Sequence, residues 1–343
     1  MYPGISPEKH QQRRILKVEG LSVSFPTTLG SVMAAQDISF DLWEKEILAL
    51  VGETGCGKSV LASAILRLLP GNAVVSGSVV FGDRDLLCLS EKDISRIRGS
   101  QISMVFQNPT LAHNPLIRME DQIAEPLCVH RGRSKKSSRK LAEKVAISFG
   151  LEGGGILKMY PFELSGGMNQ RAMISTSVIL SPRIIIADEP TKGLDDALAR
   201  QAIRELSSIK EQWGASLLLI THDLSMASAV SDRMAVMYCG QIVEIGLSSE
   251  VFENPLHPYS RALKGCLPEN GYNPIPGSSP SLIQPPSGCR YHPRCSQMTA
   301  LCKEAPPMMA VAKSSSNSKK IGMSGCSDDR HESCGRQVRC WRC

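Results

Sequence analysis

The chain has 343 residues, a formal net charge of +6 and 12 cysteines, and at 42% hydrophobic content it can bury a large core, which excludes global disorder. Seven cysteines (Cys289, Cys295, Cys302, Cys326, Cys334, Cys340, Cys343) and ten Lys/Arg against four Asp/Glu lie in the last 55 residues. The other 288 residues carry 29 basic and 29 acidic side chains, so the chain is a neutral body with a basic, cysteine-rich tail.

Residues 16–25 and 36–42 alternate with period two and predict half-buried strands. Ile47–Val51 predicts a buried strand, and glycines crowd at 52, 55 and 57. Residues 60–69 have helical spacing, stopped by Pro70-Gly71. Residues 78–81 and 102–106 predict short strands. Strand runs then vanish to residue 182, and helical patterns such as 139–149 take over. Residues 183–187 and Ser216–Thr221 return to strands, around a helix at 195–213 stopped by Gly214. Residues 233–239 and 241–245 flank Gly240 as a hairpin. This alternation predicts a mostly parallel sheet with helices on both faces and an inserted helical subdomain at about 110–182. From about residue 251 order decays, and residues 313–329 predict a flexible Ser/Lys loop. No stretch approaches the roughly 18–20 apolar residues that span a bilayer, and the N-terminus carries no secretory pattern.

Gly52-Glu53-Thr54-Gly55-Cys56-Gly57-Lys58-Ser59 fits the phosphate-loop pattern, between a strand and a helix. Glycines let backbone N–H groups curl around an oxyanion, and the helix points its positive end at it. Lys58 can supply charge to the β- and γ-phosphates, and the Ser59 hydroxyl can ligate Mg²⁺. Cys56 reads as a tolerated small residue. Asp188 and Glu189 end an apolar strand; Asp188 is suited to hold Mg²⁺ and Glu189 to act as general base.

Leu164-Ser165-Gly166-Gly167-Met168 resembles the LSGGQ-type signature of ABC (ATP-binding cassette) ATPases. Gln107 at the end of an apolar strand resembles the Q-loop, Asp195 in Gly193-Leu194-Asp195 the D-loop, and His222 in Thr221-His222-Asp223 the switch histidine. Phe25 stands where the family stacks an aromatic on adenine. The resemblance covers residues 16–250. It implies a P-loop NTPase fold with an N-terminal antiparallel β-subdomain and an ABC ATPase domain over 14–250. It also implies catalytic roles for Glu189, His222 and Gln107, and Mg²⁺ contacts from Ser59, Gln107 and Asp188. Two cassettes pair head-to-tail in this family, so that Ser165 and Gly167 of one reach the phosphate bound to Lys58 of the other. Two departures stand out: Lys192-Gly193 after Pro190-Thr191, and Ala112-His113 in the segment that meets the membrane partner in relatives.

Residues 252–263, 285–295 and 338–341 resemble the extension of ATP-binding subunits of oligopeptide/dipeptide/nickel importers, and assign 251–343 to a small Cys-rich C-terminal domain. The implied function is ATP hydrolysis driving peptide uptake, with nickel or a metallophore as the alternative cargo. The implied partners are two integral-membrane permeases, a second cassette (sister chain or self) and an extracytoplasmic substrate-binding protein. The implied location is peripheral, on the cytoplasmic face of the inner membrane. A soluble non-transport ABC ATPase and a nucleic-acid-binding tail are the competing readings. The first lacks a second fused cassette or a long coiled-coil insert. The second lacks aromatic interleaving among the basic residues, so no nucleic-acid partner is expected. Four thiols, Cys289, Cys295, Cys302 and Cys340, suit a metal centre better than disulfides in a cytosolic chain. Their spacing is too wide for paired zinc knuckles. The resembled branch implies a 4Fe–4S cluster on this set, with zinc or free thiols as alternatives. Cys326, Cys334 and Cys343 have no assigned role.

Overall fold

The computed structural model describes residues 13–153, 155–193, 196–311 and 335–343. Strands β1 (Arg14–Thr27) and β2 (Gly30–Trp43) form a long antiparallel pair. Alternation along β1 turns Leu16, Val18, Leu21 and Val23 inward while Glu19 stays exposed. Strand β3 (Ile47–Val51) is apolar and buried throughout, as a strand covered on both faces must be. It runs through residues 52–57 into α1 (Lys58–Ile65). Then come β4 (Val74–Phe81), β5 (Arg84–Asp85) and α2 (Glu91–Ile97), whose first turn is capped by the Ser90 hydroxyl. The short β5 and α2 carry too few residues for a periodic signal and were not expected from the sequence.

Strand β6 (Ile102–Val105) leads into the helical region: α3 (Pro109–Ala112), α4 (Met119–Arg131), α5 (Lys135–Ser148) and α6 (Gly166–Val178). The chain returns through β7 (Ile184–Asp188), α7 (Asp196–Gln212), β8 (Ser216–Thr221), α8 (Leu224–Val230), β9 (Arg233–Tyr238) and β10 (Gln241–Leu247). Helices α9 (Ser248–Glu253) and α10 (Pro258–Gly265) and strands β11 (Met309–Ala310) and β12 (Gln337–Val338) complete the described elements.

Two sheets result. The smaller is antiparallel, in the order β2-β1-β4-β5. The larger has the order β11-β12-β10-β9-β3-β8-β7-β6. Its β9-β3-β8-β7-β6 portion is parallel, and β10, β12 and β11 add antiparallel neighbours. The parallel portion places the C-terminal ends of β3, β7 and β8 side by side, where such sheets bind ligands.

The extension does not stand apart from this body. Val251, Tyr259 and Tyr291 are buried in one cluster with Ala49, Val51, Met234 and Val236 of β3 and β9. Glu244 of β10 is fully buried and accepts from Leu256 N–H at 2.9 Å, His257 N–H at 3.0 Å and Arg336 Nε at 3.0 Å. The Cys-rich segment, expected as a small C-terminal domain, packs on the body and adds two strands to the main sheet. The predicted loop at 313–329, with Cys326, lies outside the described residues, as do Cys334 and Asp195.

Candidate active site

The phosphate loop takes its shape from two close approaches. At Gly57 (φ 108°) a Cβ would stand 2.0 Å from the Ala34 carbonyl oxygen, and at Gly52 (φ 156°) a Cβ would stand 2.1 Å from that of Met237. Only glycine fits either position, so the loop is pressed onto β2 and β9. Lys58 folds back under it, donating from Nζ to the carbonyls of Gly52 (2.7 Å) and Glu53 (3.0 Å). Cys56 is buried, and burial pushes its thiol pKa up, which suits a packing role rather than a nucleophile.

The ends of β7 and β8 face this loop. The Ser59 hydroxyl donates to Asp188 Oδ1 at 3.0 Å. Burial raises the Asp188 carboxyl pKa above its usual range, against the Ser59 hydrogen bond, which lowers it. A hydroxyl and a carboxylate in contact form an oxygen donor set that fits Mg²⁺, whose charge would offset that burial. Glu189 takes a left-handed backbone (φ 46°), an uncommon conformation for a side-chain-bearing residue. Its Oε2 lies 2.6 Å from His222 Nδ1, and its Oε1 lies 3.9 Å from Lys58 Nζ.

Lys58, Ser59, Glu189 and His222 open onto one cavity of ≈ 990 Å³, with Asp188 behind Ser59 and outside its lining. Phe25, Thr54, Gly55, Gly57, Lys58, Ser59, Gln107, Glu189 and His222 line it, so the structure gathers most of the residues singled out from the sequence. The Glu53 carboxylate instead pairs with Arg294 at 3.1 Å. Ser165, Gly166 and Gly167 do not line the cavity; they start α6 elsewhere, where the exposed Ser165 hydroxyl accepts from Met168 N–H at 3.3 Å. Sequence reasoning missed Val32, Ala34 and Leu282 in the cavity wall, where Lys192, noted only as a departure from the family pattern, also lies. Leu282 in particular sits in a Pro/Ser-rich stretch without periodicity, and only its contact with β2, Met33 N–H to the Leu282 carbonyl at 2.8 Å, brings it there.

The cysteine set is gathered only loosely. Cys289, Cys295, Cys302 and Cys340 line one small cavity with His257 and His292. Among the described residues, however, no group of three or more His, Cys, Asp or Glu is arranged to hold a metal ion. Burial pushes the Cys289 thiol up to about 11 and also raises Cys295. The neighbouring Cys343 thiol lowers that of Cys340.

A phosphate loop, an acid pair and a histidine around the C-terminal edge of a parallel sheet define a P-loop nucleotide hydrolase. The ABC transporter family model matches residues 35–192, and the model of the oligopeptide/dipeptide transporter C-terminal region matches residues 243–302. The chain is 41% identical to the dipeptide transport ATP-binding protein DppD of Bacillus subtilis, over 88% of this chain and 92% of that protein. It is 38% identical to the oligopeptide transport ATP-binding protein OppD of Salmonella typhimurium, over 87% of this chain and 91% of that one. A dimeric ATP-binding cassette solved in a post-hydrolysis state with ADP and Pi superposes with a TM-score of 0.62 at 25% identity, covering 68% of this chain and 99% of that chain. The chain belongs to the ABC transporter family of ATPases, in its oligopeptide/dipeptide branch.

Proposed function

We propose that the chain hydrolyses Mg-ATP to drive uptake of dipeptides or oligopeptides through two partner permeases. The observation that carries the chemistry is the convergence of Lys58, Glu189 and His222 on one cavity, with the Ser59–Asp188 pair at its edge. In this reading Lys58 leaves the Gly52 and Glu53 carbonyls to meet the phosphates, and Ser59, Asp188 and Gln107 hold Mg²⁺. Glu189 orients and deprotonates the attacking water while His222 holds the carboxylate. Phe25 stacks on the base. A second cassette, a sister chain or another copy, supplies Ser165, Gly166, Gly167 and Asp195.

The peptide cargo is supported by the relatives, which are named for dipeptide and oligopeptide transport. Among the described residues no helix is long and apolar enough to cross a membrane. In this reading the permeases carry the cargo through the bilayer and this chain sits peripherally on the cytoplasmic face. An extracytoplasmic binding protein would deliver the cargo. Leu111 (82% exposed) and Leu116 (83% exposed) follow Gln107 on the surface and suit permease docking. Cells lacking the chain should lose uptake of a labelled dipeptide, and wild type but not Lys58→Ala should restore it. Unchanged peptide uptake with lost nickel uptake would favour the metal cargo.

A finer reading takes Cys289, Cys295, Cys302 and Cys340 as ligands of a 4Fe–4S cluster, with zinc as the alternative. Its support is that four thiols line one cavity, and four thiolates are what such a cluster requires. Anaerobically purified protein should contain iron and acid-labile sulfide. Zinc without sulfide, or neither metal, ends the cluster assignment.

A further inference from the structure

Among the described residues, the extension's hydrogen bonds to the phosphate loop all fall on Glu53, with Arg294, Tyr259 and Ser279. Arg294 Nη1 lies 3.2 Å from Glu53 Oε1 and 3.1 Å from Oε2. The Glu53 N–H donates to the Tyr259 hydroxyl at 3.0 Å. The third polar handle of Glu53, its carbonyl, accepts from Lys58 Nζ. Glu53 therefore links the extension to the lysine that must meet the phosphates.

Both gripping side chains are themselves fixed. Tyr259 is fully buried, with its ring centroid 4.5 Å from that of Tyr238 and 5.4 Å from that of Tyr291. The Arg294 side chain is only 7% exposed. It donates from Nε to the Pro276 carbonyl at 2.8 Å and from Nη1 to the Tyr238 hydroxyl at 3.3 Å, with its guanidinium 5.8 Å from the Tyr238 ring centre. Such a planar, multiply held guanidinium is a fixed anchor rather than a flexible surface charge. Ser279 also donates to the Glu53 carboxylate, and further along the same stretch Leu282 closes the cavity wall beside Phe25 and Val32.

We propose that Arg294 and Tyr259 are positioning residues for Mg-ATP binding, acting through Glu53 to hold the phosphate loop open when Lys58 leaves its carbonyls. An unbraced loop would close on itself, because the vacated Gly52 and Glu53 carbonyls need new donors. The brace is set before nucleotide arrives, so it acts on binding and leaves the hydrolytic step to Glu189. The proposal rests on the chain's ATPase activity and adds to it a nucleotide-site function for the extension.

Steady-state hydrolysis by the full chain, at varied Mg-ATP, tests this. Arg294→Ala should raise KM about tenfold, the size of one charge-assisted hydrogen bond, with kcat within about twofold. Arg294→Lys should recover part of that loss. Arg294→Ala combined with Glu53→Gln should be no worse than the more affected single variant, because both break one link. An unchanged KM, a fall in kcat alone, or additive effects in the double variant would overturn the proposal. If Arg294→Ala does not fold, Tyr259→Phe decides. Loss of one neutral hydrogen bond should raise KM about threefold, and an unchanged KM refutes the brace. Wild type and Lys58→Ala separate the two levels of inference. Wild type without hydrolysis removes the ATPase reading and the brace together, whereas normal wild-type hydrolysis with a normal Arg294→Ala KM removes the brace alone.

Discussion

Glu189→Gln is expected to keep Mg-ATP affinity within about twofold and to lower turnover by roughly 10²–10⁴-fold, the range of a lost general base. The substitution preserves volume and leaves one side-chain oxygen to face either Lys58 or His222, so the cavity should keep its shape. It removes the one property that an amide lacks, the capacity to take a proton. The geometry assigns that task to Glu189 rather than Asp188. Asp188 is engaged by the Ser59 hydroxyl at 3.0 Å, whereas Glu189 lies in the cavity wall with His222 2.6 Å away. The strained backbone at Glu189 turns its carboxylate back toward Lys58 and holds it there. Fluorescent-nucleotide binding and phosphate release, measured on the same preparation, check both halves. Turnover at the wild-type rate would sink the assignment of Glu189 as base.

The body of the chain was legible because its signals are local. Ile47–Val51 and Ser216–Thr221 are apolar runs that could only be covered strands, and both occur with those bounds. The phosphate loop announces itself through glycines whose need is steric, as the approaches at Gly52 and Gly57 show. The cavity residues Lys58 and Glu189 followed from a loop and a strand end, whereas His222 followed only from the resemblance of Thr221-His222-Asp223 to the family's switch histidine.

The tail was legible in composition and illegible in placement. Its basic residues suggested a charged accessory piece. In the structure Arg290, Arg294, Arg336 and Arg339 each bond to the body, at Gln36, Glu53, Glu244 and Asp37 respectively. The charge asymmetry is thus a means of fastening tail to body. No periodicity could reveal this, because the partners are far apart in sequence: Glu53 and Arg294 are separated by 241 residues. Strands as short as Gln337–Val338 leave no pattern either; they exist because β10 offers an edge to pair with. The thiols show the opposite case. The resemblance implied a common ligand for four of them, and those four do line one cavity although Cys340 lies far from the other three in sequence.

The signature segment separates a complete site from an incomplete one. Ser165 caps a 13-residue helix, and Ser165 and Gly166 are exposed, yet no residue of Ser165–Gly167 lines the chain's own cavity. A helix N-terminus attracts anions, so this one would suit a phosphate, and no phosphate loop of the same chain lies beneath it. If it serves the cavity of a second copy, Ser165→Asp is the informative change. Aspartate caps a helix as well as serine does, so stability should hold within about 0.5 kcal/mol, but its charge would repel a facing phosphate. Turnover is expected to fall about 10²–10³-fold, as when a donor to transition-state charge is lost, with Mg-ATP affinity of the separated chains unchanged. Mixing then decides the geometry. Lys58→Ala should be inactive for want of a phosphate ligand, and Ser165→Asp for want of a signature. In a mixed pair, one site combines the intact Lys58 of one chain with the intact Ser165 of the other. Partial recovery of hydrolysis on mixing two inactive preparations is the expected result. No recovery at any ratio would show that two copies of this chain do not complete each other's sites.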